Sequence, residues 1–267
     1  MLGRRLSGAV LLLMLGLTLL HPPPAQAELE VDLALVLAVD VSRSMDADEQ
    51  QLQRDGFVEA FRSQAVHQAV RKGVLGRVAV AYVEWSGPAE QAVIVPWTVI
   101  DGPAGAAAFA ERLASTDIGR VFSTSISGAI DFGVKLLAES GVEPLRRVID
   151  ISGDGPNNSG RMITLARNDA VAQGITINGL PFMLKRPSGI GDIENLDLYY
   201  QDCVIGGPGA FIVPVREARQ FAEAIRTKLV REIAGELDRE PLVRPAQDRE
   251  QFNCLVGEMQ RRRQWEP

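Results

Sequence analysis

Residues 31–39 read VDLALVLAV and run straight into Asp40-Val41-Ser42-Arg43-Ser44. A nearly continuous series of Val, Leu and Ala ending in a polar turn is the signature of a strand covered on both faces. The same grammar repeats downstream at 77–85 (RVAVAYVEW), 147–152 (RVIDIS) and 175–180 (ITINGL). Between these runs the apolar period changes from continuous to helical. Residues 46–72 read as one long helix, with Phe57, Val58, Phe61, Ala65 and Ala69 on one face. Further helices are expected over 103–113, 124–138 and 161–173, a short one over 193–200, and a closing one over 216–234. In the closing helix Ala218, Phe221, Ala222, Ile225, Leu229 and Ile233 share a stripe. A short strand at 91–95 follows the second run across Ser86-Gly87-Pro88, a hairpin turn. A last strand is expected at 210–215. Strands alternating with helices predict an α/β fold: a doubly wound, mainly parallel sheet with one antiparallel edge strand and helices on both faces.

The ends read differently. Arg4 and Arg5 precede a twelve-residue apolar run at 9–20, then His21-Pro22-Pro23-Pro24 and the small-x-small triplet Ala25-Gln26-Ala27. That is the pattern of a secretory signal peptide over 1–27, an uncleaved N-terminal anchor being the alternative. Its removal deepens the acid excess by two charges. No later stretch has the length and apolarity of a membrane span. The expectation is an exported chain, periplasmic or extracellular, with one domain over 28–237. A charged tail over 238–267 carries a short helical stripe (Phe252, Leu255, Val256, Met259) that docks loosely and frays at its end.

The chain is 46% hydrophobic and 23% charged, which excludes wholesale disorder. Its formal charge of −6 argues against non-specific nucleic-acid binding, which needs Lys and Arg to displace counterions. Cys203 and Cys254 are the only cysteines. In an oxidising compartment they pair, fastening the tail to the body, or they stay as two separate buried thiols; the sequence leaves both open. A zinc site of Cys and His has no support, since there is no C-x-x-C and His67 is the only His beyond residue 27.

In doubly wound sheets ligands sit beyond the carboxyl ends of the strands, at a topological switch point. The loops found there are Asp40-Val41-Ser42-Arg43-Ser44, Ser123-Thr124-Ser125 and Gly153-Asp154-Gly155-Pro156-Asn157. Together they offer carboxylates and hydroxyls, without imidazole or thiolate. Oxygen-only donor sets suit hard cations such as Mg²⁺. Spacing i, i+2, i+4 in an extended turn points Asp40, Ser42 and Ser44 to one side.

At these residues the sequence resembles the von Willebrand factor type A domains and their metal-ion-dependent adhesion site. The resemblance rests on D-x-S-x-S at Asp40, Ser42 and Ser44, on Thr124 followed by Ala129-Ile130, and on a strand ending in Asp154-Gly155, and it covers about 31–234. The second half, with Tyr199-Tyr200 and the run from Cys203 to Phe211, looks like an uncharacterised exported bacterial branch. The resemblance implies Ser42, Ser44 and Thr124 as hydroxyl ligands and Asp40 and Asp154 as carboxylates near a divalent cation, Mg²⁺ or Mn²⁺, with Ca²⁺ also admissible. It further implies that a partner protein's acidic residue completes the shell. Two departures stand out: Phe122-Ser123 where many members have Gly, and Arg43 where Gly is common. Arg43 adds a positive charge that would favour an acidic partner.

Three roles follow. One is an exported, non-enzymatic, metal-dependent protein-binding module. The second is a Mg²⁺-dependent hydrolase, phosphoesterase-like, in which Asp40 and Asp154 act directly. The third is a metal-free structural domain, with Ser and Asp serving only turns and caps, Thr124 as an N-cap among them. A Ser–His–Asp hydrolase lacks a base outside the first helix, where His67 reads as a surface or packed residue. Gly153-Asp154-Gly155, Gly189-Ile190-Gly191 and Gly206-Gly207-Pro208-Gly209 match no nucleotide-binding loop. Trp85, Trp97, Tyr199 and Tyr200 read as core or rim, with a ligand groove as the alternative, and Arg261 to Arg263 as a solvated helix end, with an interaction tail as the alternative.

Overall fold

The run at 31–39 becomes the centre of a five-stranded sheet. The structure, a computed structural model, describes residues 28–119, 123–184, 193–235 and 252–265. The stretch read as a signal peptide, Phe122, the Gly189-Ile190-Gly191 turn and the first part of the tail lie outside them.

The sheet has the order β4-β3-β2-β6-β7, from β2 (Leu33–Asp40), β3 (Val78–Trp85), β4 (Gln91–Ile100), β6 (Arg147–Gly153) and β7 (Ile175–Pro181). All neighbours are parallel except β3 and β4. A separate parallel pair joins β1 (Leu29–Val31) to β5 (Val142–Pro144). Every residue of β2 is buried, as a strand with helices on both sides requires. The alternation along β2 assigns the two faces. Leu33, Leu35, Leu37 and Val39 pack against α1 (Ala47–Arg62), α2 (Gln64–Lys72), α3 (Pro103–Ala114) and α7 (Phe221–Ala234). Ala34, Val36 and Ala38 face α4 (Ile126–Ala138), α5 (Ile163–Ala172) and the short α6 (Leu196–Tyr199). The predicted doubly wound α/β architecture is therefore the observed one. Among the described residues no helix is long and apolar enough to cross a membrane.

Three predicted elements differ. The helix expected over 46–72 breaks at Ser63, whose backbone is extended (ψ 144°). The Ser63 hydroxyl donates to the Ala60 carbonyl at 2.6 Å and accepts the Val66 N–H at 3.3 Å, so it caps a new helix. His67 packs at this break, with its Nε2 2.8 Å from the Phe61 carbonyl. Strand β4 continues past Val95 to Ile100, and its register shifts on either side of Tyr82. Pro96 is tolerated because β4 is an edge strand. The strand expected at 210–215 makes only isolated bridges beside β7, Ile212 to Gly179 and Val215 to Phe182. Pro208 and Pro214 lack the N–H a ladder needs, and the Phe211 N–H goes instead to the Asn178 side chain at 3.1 Å.

Two buried ion clusters brace the α1/α7 face. Lys228 of α7 lies between Asp150 and Glu232, all at most 2% exposed, with Asn178 donating to Glu232 at 3.0 Å. Burial and the nearby Asp150 push the Glu232 carboxyl up to about 7. The second cluster pairs Arg54 of α1 with Glu84 of β3.

Candidate functional site

Strands β2 and β6 are neighbours, and their onward connections leave to opposite sides of the sheet, β2 to β3 and β6 to β7. The crevice beyond their carboxyl ends is the topological switch point. Asp40 is the last residue of β2, and Asp154 directly follows Gly153, the last of β6.

A continuous hydrogen-bonded chain crosses this crevice. The Ser42 N–H donates to Asp40 Oδ1 at 2.7 Å. The hydroxyls of Ser42 and Ser44 lie 2.9 Å apart, and Ser44 donates to Asp154 Oδ1 at 2.6 Å. Four of the five residues singled out in the sequence therefore meet. They come together because a tight turn (Met45 N–H to the Ser42 carbonyl, 3.2 Å) follows β2 before α1 starts. Asp46 opens α1 with a reciprocal capping box to Glu49, which fixes where that turn ends.

Thr124 stands differently. It is buried in the loop before α4, and its N–H donates to Asn158 Oδ1 at 3.1 Å while its carbonyl accepts the Asn158 N–H at 2.9 Å. This ties the Thr124 loop to the Asp154 loop. Among the described residues its hydroxyl makes no hydrogen bond to the other four. Nor does it cap α4: that cap is Ser125, which accepts the Gly128 N–H at 3.1 Å. Just before it, Ser123 has φ 82°, the only non-glycine residue with positive φ among the described residues. The backbone here takes the left-handed form that glycine adopts freely, where the resembling family has Gly. Ser123→Gly should therefore raise the unfolding free energy by about 0.5–1 kcal/mol, the strain relieved less the entropy glycine adds. Urea denaturation reads this as a higher midpoint, and a lower midpoint would show that the strain is absent.

The electrostatics centre on a buried carboxylate. Asp40 is fully buried, and its Oδ2 has no hydrogen-bond partner among the described residues. Burial, then the neighbouring Asp154 charge, hold its carboxyl well above the usual range, against the pull of the Ser42 N–H and hydroxyl. Among the described residues no group of three or more His, Cys, Asp or Glu is placed to hold a metal. The donor set that remains is hydroxyls with two carboxylates, which fits a hard divalent cation.

Sequence reasoning missed three residues around this crevice. Asn157 is fully buried, accepts the Ser127 N–H at 2.9 Å, and donates to Glu258 of α8 (Val256–Trp265) at 2.8 Å. Its own N–H donates to the Tyr199 hydroxyl at 3.0 Å. Tyr200 ends beside Asp40. Nothing in their local spacing signals these roles, since each depends on contacts distant in sequence. The structure also pairs Cys203 with Cys254, so the tail is fastened next to α6 just ahead of α8.

A family model described as a protein of unknown function (DUF1194) matches residues 30–237. The chain belongs to the DUF1194 family. No curated protein matches it in sequence. Among solved structures, this DUF1194 chain is similar to proximal thread matrix protein 1 from the mussel byssus, with TM-score 0.56 and 14% identity over 78% of this chain and 49% of that one. It is similar to the pilus adhesin SpaC from Lactobacillus rhamnosus GG, with TM-score 0.56 and 12% identity over 78% and 31% of the chains. It is also similar to a von Willebrand factor type A protein from Catenulispora acidiphila, with TM-score 0.54 and 13% identity over 76% and 43%. The chain thus spans about half the length of the mussel protein and about a third of SpaC. Its fold is von Willebrand A-like. One structure of the mussel protein is described as having a zinc-occupied MIDAS motif.

Proposed function

We propose that this DUF1194 chain is an exported, non-enzymatic protein-binding module that captures an acidic residue of its partner through a divalent cation. Asp40, Ser42, Ser44, Thr124 and Asp154 would hold the cation, and 28–237 would be the binding domain, with 238–267 as an accessory tail. The observation that carries this reading is the hydrogen-bonded chain from Asp40 through Ser42 and Ser44 to Asp154 across the switch point. The cation would supply positive charge beside the buried Asp40 carboxylate. This chain's residues do the rest. Neutral hydroxyls donate lone pairs without quenching the cation's charge, which leaves it attractive to an incoming carboxylate. Asn158 holds the Thr124 loop against the Asp154 loop, which keeps the donors on one centre. Arg43, exposed on the first loop, adds a further positive charge for an acidic partner. The structures with an adhesin or a zinc-occupied MIDAS motif in their description lend support by analogy of fold alone.

The test is binding of Mn²⁺, Mg²⁺ and Zn²⁺ to the chain lacking 1–27 and to Asp40→Ala, by titration calorimetry. The parent should bind at least one of these, and Asp40→Ala should lose at least about ten-fold in affinity. Equal affinity in both, or binding in neither, ends the assignment. Capture of an envelope protein should likewise be lost when a chelator is added.

A further inference from the structure

The buried ring of Tyr200 runs across two strands toward Asp40. It begins a single π-helical turn (Tyr200–Val204), a local widening of the helix that recurs at functional sites. A Cβ on Gly179 of β7 would stand 2.7 Å from Tyr200 Cδ1. A Cβ on Gly153 of β6 would stand 3.1 Å from the Tyr200 hydroxyl and 2.9 Å from Asp40 Oδ2. Two glycines on adjacent strands thus clear a track for one ring, and the track ends at the first carboxylate of the D-x-S-x-S loop. The two atoms that flank the Gly153 position share a second property. Asp40 Oδ2 and the Tyr200 hydroxyl are both buried without a hydrogen-bond partner among the described residues. A buried donor and a buried acceptor left unsatisfied are each costly, and a water bridging them across the Gly153 position removes both costs.

We infer that Tyr200 is a positioning residue for Asp40, its hydroxyl donating to Oδ2 through one water seated over Gly153. Asp40 Oδ1 already accepts the Ser42 N–H. With Oδ2 tied to Tyr200, the carboxylate plane is fixed at both ends, and Ser42 and Ser44 are held in register with it. Partners of this kind orient ligands and set metal affinity. The inference rests on the metal-site reading above and adds to it the residue that holds the site in shape. A ring that merely filled the core would need neither the hydroxyl nor the alignment with Gly153.

The decisive variant is Tyr200→Phe, which keeps the ring and removes the one oxygen. Two measurements separate this inference from the reading beneath it. The first is Mn²⁺ affinity: Tyr200→Phe should bind about ten-fold more weakly than the parent. Affinity within two-fold of a parent that binds overturns the inference and leaves the metal site standing. The second needs no metal. In chelator, Tyr200→Phe should lower the thermal midpoint of the parent, and that loss should vanish in the Asp40→Ala background. A hydroxyl with no partner predicts a neutral or raised midpoint, and additive losses place the hydroxyl's partner elsewhere; either result overturns the inference. A parent that fails to bind Mn²⁺ brings down the metal-site reading, and the thermal cycle then decides the Tyr200–Asp40 contact alone.

Discussion

Arg54→Met should lower the unfolding free energy by about 3–5 kcal/mol, the usual cost of removing one partner from a buried ion pair. Arg54 is 3% exposed and Glu84 4% exposed. The guanidinium donates to the Leu113 and Thr116 carbonyls, each at 2.8 Å, besides pairing with Glu84. It also lies 5.4 Å from the centre of the Tyr82 ring. Met fills much of the stem's volume but answers none of these acceptors. Glu84 would be left with the Gly119 N–H at 3.0 Å as its other hydrogen-bond donor. Burial already pushes the Glu84 carboxyl up, and the loss of Arg54, which now pulls it back down, would push it further. Changing both residues together, Arg54→Met with Glu84→Leu, should recover a large part of the loss, because no unpaired buried charge remains. Urea unfolding followed by Trp fluorescence measures both variants. A loss under about 1 kcal/mol for the single variant would mean that water or another group replaces the guanidinium. The consequence reaches the site, because the loop that Arg54 and Glu84 grip between Leu113 and Gly119 leads on toward Thr124.

Local pattern and long-range contact separate what the sequence discloses from what it hides. The buried strands were legible because full burial on both faces demands largely continuous apolar runs, and β2, β3 and β6 meet that demand with Glu84 and Asp150 as buried charged exceptions. The D-x-S-x-S turn was legible because alternate residues in an extended turn share a side, so spacing alone places Asp40, Ser42 and Ser44 together. The break at Ser63 was hidden, since the apolar stripe continues through it and only the backbone reveals the extended residue. The strand expected at 210–215 was an error of a different kind: Phe211, Ile212 and Val213 have strand composition, but flanking prolines deny the ladder. The tie between the Thr124 loop and the Asp154 loop runs through Asn158, which carries no mark that spacing could show. Tyr200, Asn157 and Glu258 act across 40 to 160 positions of chain, a separation at which pattern reading has no purchase. The pairing of Cys203 with Cys254 stayed open for the same reason, because a thiol's neighbour is a property of the fold.

Replacing both cysteines, Cys203→Ser with Cys254→Ser, should cost about 4 kcal/mol in the chain-entropy account of a closed loop of this length. The bridge spans a sequence separation of 51 residues. The effect should not be uniform. Helix α8 has only ten residues, too few to persist alone in water. Apart from the bridge, Phe252 meets the Tyr199 ring edge-on at 5.8 Å and donates its N–H to Asp202 at 3.0 Å, Glu258 accepts from Asn157, and Arg261 donates to the Asn158 carbonyl at 3.4 Å. Gly257 lies so close to the Asn157 carbonyl that a Cβ there would stand 2.2 Å from it. Such a fit depends on the tether that keeps the segment in place. Without the bridge α8 should leave first, and Arg261, Arg262 and Arg263 should become cleavable by trypsin under conditions where the parent resists. Asn157 would then lose one acceptor but keep the Ser127 N–H and the Arg161 carbonyl, at 2.9 and 3.2 Å. The Asp154 loop should therefore loosen without collapsing, so that Mn²⁺ affinity falls less in the double serine variant than in Asp40→Ala. Equal protease resistance with and without the bridge would show that packing alone seats α8, and would reduce the disulfide to a passive fastening.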